Sequence, residues 1–296
     1  QECGGTDRDR TDAGRGAAHD RCRRDRRGHD PQDRNGAARP GRRGAGRGDH
    51  RWPRAECLPA GAVHRTRLRV ADPRGPGQPG MIGLPQITAE AQAQALAVRG
   101  AFHAEDGPAA GGTLILLGPD EPGFWPVFAA SPEYADGAAD PLDRWSRRVI
   151  DALAAAWGGT AVYPGDGPPW QPFLRWATDS GRCSVSPVGL LVHDAAGLLV
   201  SFRGAVALPG RLALPAPPDP PCRRCADRPC ETACPVGALA PGQAYDVAAC
   251  RAHVRSAAGQ ACRTEGCLVR RACPVSAAMN RPAAQAAFHM AAFTGS

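Results

Sequence analysis

Eight of the twelve cysteines in this 296-residue chain lie within one window of about fifty residues. They are Cys222, Cys225, Cys230, Cys234, Cys250, Cys262, Cys267 and Cys273. Cysteine thiolates bind iron and zinc, and one 4Fe-4S cluster needs four of them. Eight thiolates are the number that two such clusters require, so the window predicts a metal centre for one-electron transfer.

The spacing of these cysteines predicts how they divide between two clusters. The first run reads Cys-x2-Cys-x4-Cys-x3-Cys-Pro, which is two residues longer before its third cysteine than the bacterial ferredoxin run. In two-cluster ferredoxins the fourth cysteine of such a run binds the other cluster. The second run also ends in Cys-Pro. We therefore predict a crossed arrangement, with Cys222, Cys225, Cys230 and Cys273 on one cluster and Cys234, Cys250, Cys262 and Cys267 on the other.

Other uses of eight cysteines are less consistent with the pattern. Two structural zinc sites would usually show a Cys-x2-Cys pair in each half, and only Cys222 and Cys225 have that spacing. One cluster with spare cysteines is a further alternative. Disulfides are disfavoured because the sequence has no apolar signal segment, so a cytoplasmic protein is expected.

A few residues other than the eight cysteines have expected roles of their own. Cys183 and His193 are predicted to be buried structural residues, and Cys3, Cys22 and Cys57 to have no role. His253 and His289 lie on predicted helices, where an imidazole near a cluster would tune its potential by a hydrogen bond to sulfur. No spacing selects a catalytic group, so the catalytic residues stay unknown.

The first 80 residues differ from the rest of the chain in composition. They contain 19 Arg and 11 acidic residues, whereas residues 81–296 contain 17 Arg and 18 acidic residues. Without an apolar period they are predicted to be disordered. A nucleic-acid partner is not expected, because Asp residues break up the positive charge of this segment. Composition turns globular at Met81, which we expect to be the true start of translation.

The elements that must position the cysteines follow from apolar periodicity. The predicted elements are a helix over Thr88–Gly100, a strand over Thr113–Gly118, a helix over Asp140–Gly159, a strand over Thr160–Tyr163, and a hairpin-like pair over Val188–His193 and Leu198–Phe202. The sequence contains no run of 18 or more apolar residues, so a membrane span is not predicted.

These elements predict an α+β fold with four segments. Residues 1–80 form a disordered arm, 81–207 a small α+β domain, 208–221 a Pro-rich linker, and 222–296 a bacterial-ferredoxin-like module with two 4Fe-4S clusters.

The cysteine window resembles the C-terminal ferredoxin module of epoxyqueuosine reductases and the related reductive dehalogenases. The resemblance rests on CRRCADRPCETACPVGAL, on the isolated Cys250 in YDVAACRAHV, and on CRTEGCLVRRACPV. The longer gap before Cys230 is more like the ferredoxin subunits of molybdenum oxidoreductases. Upstream, GRCSVSPVGLLVHDAAGLLVSFRGAVAL is similar to the stretch of epoxyqueuosine reductases in which a glycine-containing turn and two strands flank the corrinoid.

The expected function is that of an electron carrier with redox proteins as partners. The resemblance implies an alternative, a corrinoid-dependent reductase in which cobalamin is bound by residues 81–207 and reduced by the clusters. A conical cavity beside the first cluster would favour that enzyme. A third alternative, an iron-sulfur sensor or assembly factor, calls for an exposed or incomplete cluster, and the full set of eight cysteines argues against it.

Overall fold

The computed structural model describes residues 82–295. The predictions of a disordered arm over residues 1–80 and of a start at Met81 therefore lie outside the described residues. Within them, helices alternate with short antiparallel strands, so the expected α+β class is confirmed.

Six strands form two antiparallel sheets. They are β1 (Leu96–His103), β2 (Thr113–Pro119), β3 (Thr160–Val162), β4 (Cys183–Val185), β5 (Leu191–His193) and β6 (Gly204–Leu208). Four of them form one sheet in the order β1-β2-β6-β3, and β4 pairs with β5 in the other. The predicted strand at Thr113 is β2, and the one at Thr160 is β3.

Residues 82–295 also contain ten α-helices. They are α1 (Leu84–Ala93), α2 (Phe124–Ala129), α3 (Pro132–Ala135), α4 (Pro141–Trp157), α5 (Phe173–Asp179), α6 (Val247–Arg255), α7 (Gln260–Glu265), α8 (Leu268–Ala272), α9 (Pro274–Ala277) and α10 (Ala283–Thr294). The helix predicted over Asp140–Gly159 is α4, which ends at Gly158 in the left-handed conformation that glycine favours.

The central strand β2 is buried along its whole length because helices cover both faces of the larger sheet. On one face Ile115 and Leu117 pack with Trp145 of α4 and Ile87 of α1. On the other face the alternate residues of β2 pack with Trp176 of α5. A strand buried on both faces reads as a continuous apolar run, as TLILLG does.

The helix predicted over Thr88–Gly100 is wrong in its bounds. The helix ends at Ala93, Ala95 takes a left-handed φ of 57°, and β1 begins at Leu96. Gly100 lies inside β1 next to an irregularity in its pairing with β2. A Cβ at Gly100 would lie 2.6 Å from Ser180 Oγ, so the glycine permits close packing of α5 and does not stop a helix.

The predicted pairing of Val188–His193 with Leu198–Phe202 is also wrong. The strand β5 pairs with β4 in the register Cys183 to His193, and the isolated bridge after β5 joins His193 to Gly197, which precedes the second run. After β6, residues 209–220 form neither helix nor strand. They pack on the sheet through the buried Leu212, whose N-H donates to Thr113 Oγ1 at 2.9 Å.

Candidate metal centre

The four thiols of the first predicted set surround one cavity. Cys222, Cys225, Cys230 and Cys273 all line a space of about 520 Å³. Burial raises the pKa of the Cys230 thiol, and the other three thiols of the set raise it further. The four sulfurs are thus electrostatic neighbours, although Cys273 lies in the second run of the sequence.

Tight turns place these cysteines. Cys222 and Cys230 each lie in a single 3-10 turn that begins with a proline. The longer loop before Cys230 is accommodated by Arg228, which takes a left-handed φ of 40°. Cys273 lies where α8 ends and α9 begins, and Pro274 occupies the first turn of α9, a position that needs no N-H donor.

The thiols of the second predicted set form a separate neighbourhood. Burial raises the pKa of the Cys250 thiol, which is raised further by Cys267, Cys234 and Cys262. Burial also raises the pKa of Cys262, again with contributions from Cys267 and Cys234. The thiols of each predicted set therefore lie near one another.

Two residues donate hydrogen bonds to thiols of the second group. The Tyr245 hydroxyl bonds to the Cys250 thiol, and the backbone N-H of Leu268 bonds to Cys262; each lowers the pKa of the thiol it contacts. Such bonds stabilise a thiolate, and around iron-sulfur clusters they are one determinant of potential. Asp246 positions Cys250 by accepting a hydrogen bond from Ala249 N-H at the first turn of α6.

The first group packs against the β4–β5 pair. Buried Cys230 and Cys273 share a hydrophobic cluster with Val192 of β5 and with Leu198, which follows the turn after β5. The N-H of Leu198 donates to Ser276 Oγ of α9 at 2.8 Å. Gly197 in that turn has a φ of 56°, and a Cβ there would lie 2.5 Å from the backbone of Ser276. The turn between the apolar runs is therefore the contact that supports the first group.

Arginines offset the charge of the two groups. Arg228 lowers the pKa of Cys222, whereas burial and the thiols of Cys273 and Cys225 raise it. Arg271 has the same lowering effect on Cys262. Where burial and neighbouring thiols oppose ionisation, a bound metal supplies the positive charge that lets a thiol lose its proton. The donor set thus fits a metal group that binds four thiolates in each neighbourhood.

The described thiols do not form a site for a single metal ion. Within residues 82–295, no three His, Cys, Asp or Glu side chains converge closely enough to hold one ion. Four thiolates on one zinc each lie about 2.3 Å from the metal. In a 4Fe-4S cluster each thiolate binds a different iron, so four thiolates do not share one ion.

The single residues named from sequence occupy several environments. Cys183 is buried in the core on the α5 side of the sheet, and burial raises its pKa to about 12. His193 is fully buried; its Nε2 contacts Arg99 O at 2.9 Å, and its Nδ1 accepts from Ala195 N-H and Ala196 N-H. Both are structural, as predicted, and all nine described cysteines are free thiols. His253 lies on α6.

Sequence reasoning missed Tyr245 and Arg270. Tyr245 lies five residues before Cys250, a signal that could have been noticed. Arg270 donates to Leu198 O at 2.5 Å and so connects α8 to the turn after β5, which no local pattern indicates. Cys3, Cys22 and Cys57 lie outside the described residues.

Comparisons of the chain with protein-family models, curated proteins and solved structures find no match. Within residues 82–295, none of the helices combines the length and apolar character needed to cross a bilayer.

Proposed function

We propose that this chain is an iron-sulfur electron-transfer protein that binds two 4Fe-4S clusters in a ferredoxin-type module over residues 222–296. The proposal is supported by the proximity of the thiols within each predicted set and by the cavity of about 520 Å³ that all four thiols of the first set line. Cys222, Cys225, Cys230 and Cys273 would hold one cluster, and Cys234, Cys250, Cys262 and Cys267 the other.

The protein contributes the environment of each cluster. When bound, the clusters supply one-electron transfer. The residues of the chain exclude water from Cys230, Cys262 and Cys273, which are buried, and leave the other five thiols partly exposed. Partial exposure of both groups leaves short routes to the surface, which suits exchange with redox protein partners.

The first test is anaerobic purification of the full chain, followed by iron and sulfide analysis and low-temperature EPR of the reduced protein. We expect about eight irons per chain and two interacting signals, because two cubanes each contain four irons. Zinc alone, or about four irons, would contradict the proposal. Uptake of hydroxocobalamin in a one-to-one ratio would instead favour the corrinoid-dependent reductase.

Single substitutions test the crossed arrangement. Cys230→Ser and Cys262→Ser should each remove one signal and about four irons, and the two lost signals should differ. Cys273→Ser should remove the same signal as Cys230→Ser, although it lies in the second run. Cys183→Ala is the matched control because Cys183 is a buried thiol outside both groups. If Cys273→Ser instead removes the EPR signal that Cys262→Ser removes, the assignment of ligands is wrong.

A further inference from the structure

A second cavity, of about 530 Å³, lies beside Cys250 and Cys267. This volume is within the range of small-molecule sites. Four arginines line it, namely Arg203, Arg270, Arg271 and Arg281, together with a single carboxylate, Glu265. We refer to it as the arginine cavity.

Two of these arginines carry a charge that carboxylates in the described part of the chain offset only weakly. Arg203 contacts Asp143 at 3.4 Å, but the Asp143 side chain is 71 % exposed, so water screens that pair. No ion pair joins Arg270 to a carboxylate within residues 82–295. Burial lowers the pKa of both guanidinium groups, because the cation loses hydration. A buried cation with little compensation favours an anion as its neighbour.

The other two arginines have partners of their own. Arg281 contacts Glu121 at 2.5 Å, and Arg271 contacts Glu265 at 2.8 Å. Their charges are thus largely offset, and the excess positive charge of the arginine cavity comes from Arg203 and Arg270.

Unsatisfied polar atoms point to the same conclusion. His289 Nε2 and Ser201 Oγ both belong to residues that line the cavity, and both are buried without a hydrogen-bond partner among the described residues. A buried polar atom without a partner costs free energy unless a ligand or water satisfies it. An imidazole N-H and a hydroxyl are donors suited to the oxygens of a phosphate or carboxylate.

Part of the remaining wall is apolar. It includes Leu199, Val200, Met290 and Phe293. Methionine and aromatic side chains pack against flat or irregular organic groups. The combination of cations, donors and an apolar wall fits an organic molecule better than an inorganic ion.

We propose that the arginine cavity binds a small organic anion, one that carries a phosphate or carboxylate group on an apolar body. Arg203, Arg270, His289 and Ser201 supply the charge and the donors, and the apolar wall holds the body. This site goes beyond the proposed function, since it depends on guanidinium groups and not on thiols. Its position beside Cys250 and Cys267 would place the anion next to the second group.

Matched probes test the proposal with the full chain purified anaerobically. Binding of 1-naphthyl phosphate, 1-naphthoate and neutral 1-naphthol is measured by titration calorimetry at low salt. We expect at least one anionic probe to bind about tenfold or more tightly than 1-naphthol, because hydrogen bonds to a charged group contribute more than neutral ones. Equal affinity of all three probes, or no binding, would overturn the proposal.

Two variants locate the binding. Arg203→Gln removes a charge, and His289→Ala removes the unsatisfied donor; each should weaken the anionic probes several-fold and leave 1-naphthol unchanged. Arg175→Gln is the control, because Arg175 forms an exposed pair with Asp106 away from the cavity. If both cavity variants bind as the control does, the site is elsewhere and the proposal is wrong. If a variant does not fold, the probe comparison in the unmodified chain still decides.

Iron analysis of the same samples separates this proposal from the proposed function. A chain with about eight irons and no preference for anions would overturn the anion site and leave the cluster assignment standing. A chain without iron that prefers the anionic probes would overturn the cluster assignment and leave the anion site standing.

Discussion

Tyr245 lies beside Cys250, a predicted ligand of the second cluster. Its hydroxyl bonds to Cys250 while the residue is 38 % exposed. A donor to sulfur stabilises the more negative, reduced state of a cluster more than the oxidised state. The hydroxyl should therefore raise the potential of the cluster that the second group holds.

We expect Tyr245→Phe to lower that potential by tens of mV, since about 59 mV corresponds to a tenfold change for one electron. An EPR-monitored redox titration measures the shift. Tyr134→Phe is the control, because Tyr134 is similarly exposed but packs among the aromatic rings around Phe128. A shift in the signal that Cys230→Ser removes, or no shift in either signal, would contradict the assignment of Tyr245.

His193 gives a prediction of pH dependence that does not involve the thiols. The pKa of His193 is lowered to about 4, mainly by burial; the charge of Asp194 opposes this shift, and the charges of Arg182 and Arg99 add to it. Asp194 is itself held by Arg182 at 2.9 Å. Two N-H groups donate to Nδ1, so the folded protein favours the neutral ring.

Because the folded-state pKa lies below the ordinary value of 6.5, the unfolded chain takes up the proton first as pH falls. The contribution of His193 to stability is thus complete above pH 6.5 and is lost between about 6.5 and 4. We expect His193→Gln to be destabilised at pH 8 by the loss of packing, with the gap to the unmodified protein narrowing by on the order of 2 kcal/mol at pH 4.5. Urea unfolding at both pH values measures this gap, and a constant gap would refute the role of His193.

At the scale of elements, the C-terminal helices are joined to the sheet by one buried charged contact. Glu121 lies just after β2 with its side chain 1 % exposed, and it accepts from Arg281 and, at 2.7 Å, from Gln285 of α10. Removing one partner of a buried ion pair leaves the other charge uncompensated. The contact is therefore a sensitive point for the whole arrangement.

We expect Glu121→Gln to destabilise the protein by about 3 kcal/mol, which would lower its urea midpoint clearly. Asp106→Asn is the matched control, because it breaks the exposed pair with Arg175 and should cost less than about 1 kcal/mol. Equal midpoints for the two variants would show that the buried pair contributes no more than a surface pair.

Elements with strong local signals could be predicted from the sequence. The strand β2 has a continuous apolar run, and α4 has apolar residues at helical spacing, of which Leu142, Trp145 and Val149 are buried. The errors in the predicted elements arise from contacts between distant residues. Gly100 looked like a helix stop because the close approach of Ser180, which lies far along the chain, leaves no local signal.

At the scale of the whole molecule, the cysteine spacing predicts two groups of ligands but gives no signal for the contacts that support them. The packing of Cys230 and Cys273 against Leu198 depends on the turn at Gly197 and on Ser276. Likewise, the arginine cavity combines residues that follow β5 with residues of α8 and α10. Sequence spacing reports ligands that share a loop, but not side chains that meet only after folding.

The described residues contain three hydrophobic clusters, and they depend differently on the thiols. Two clusters cover the faces of the larger sheet, and the only cysteine in them is Cys183. The third consists of Val188, Val192, Leu198, Leu239 and Val269 together with Cys230 and Cys273. If metal holds the first group together, loss of the metal leaves a cavity of about 520 Å³ unfilled. Of the three hydrophobic clusters, only the third contains thiols of that group.

We therefore expect removal of the clusters by oxidation and chelation to increase amide hydrogen exchange over residues 222–273 and around Leu198, while β2 stays protected. Hydrogen exchange followed by mass spectrometry measures both regions in one sample. The physical reason is that an unfilled cavity removes packing from its own lining, whereas β2 keeps both of its covered faces. Uniform loss of protection would show that the sheet also depends on metal. Unchanged protection near Cys230 would show that metal does not stabilise this region, because the third cluster would then persist on its aliphatic contacts alone.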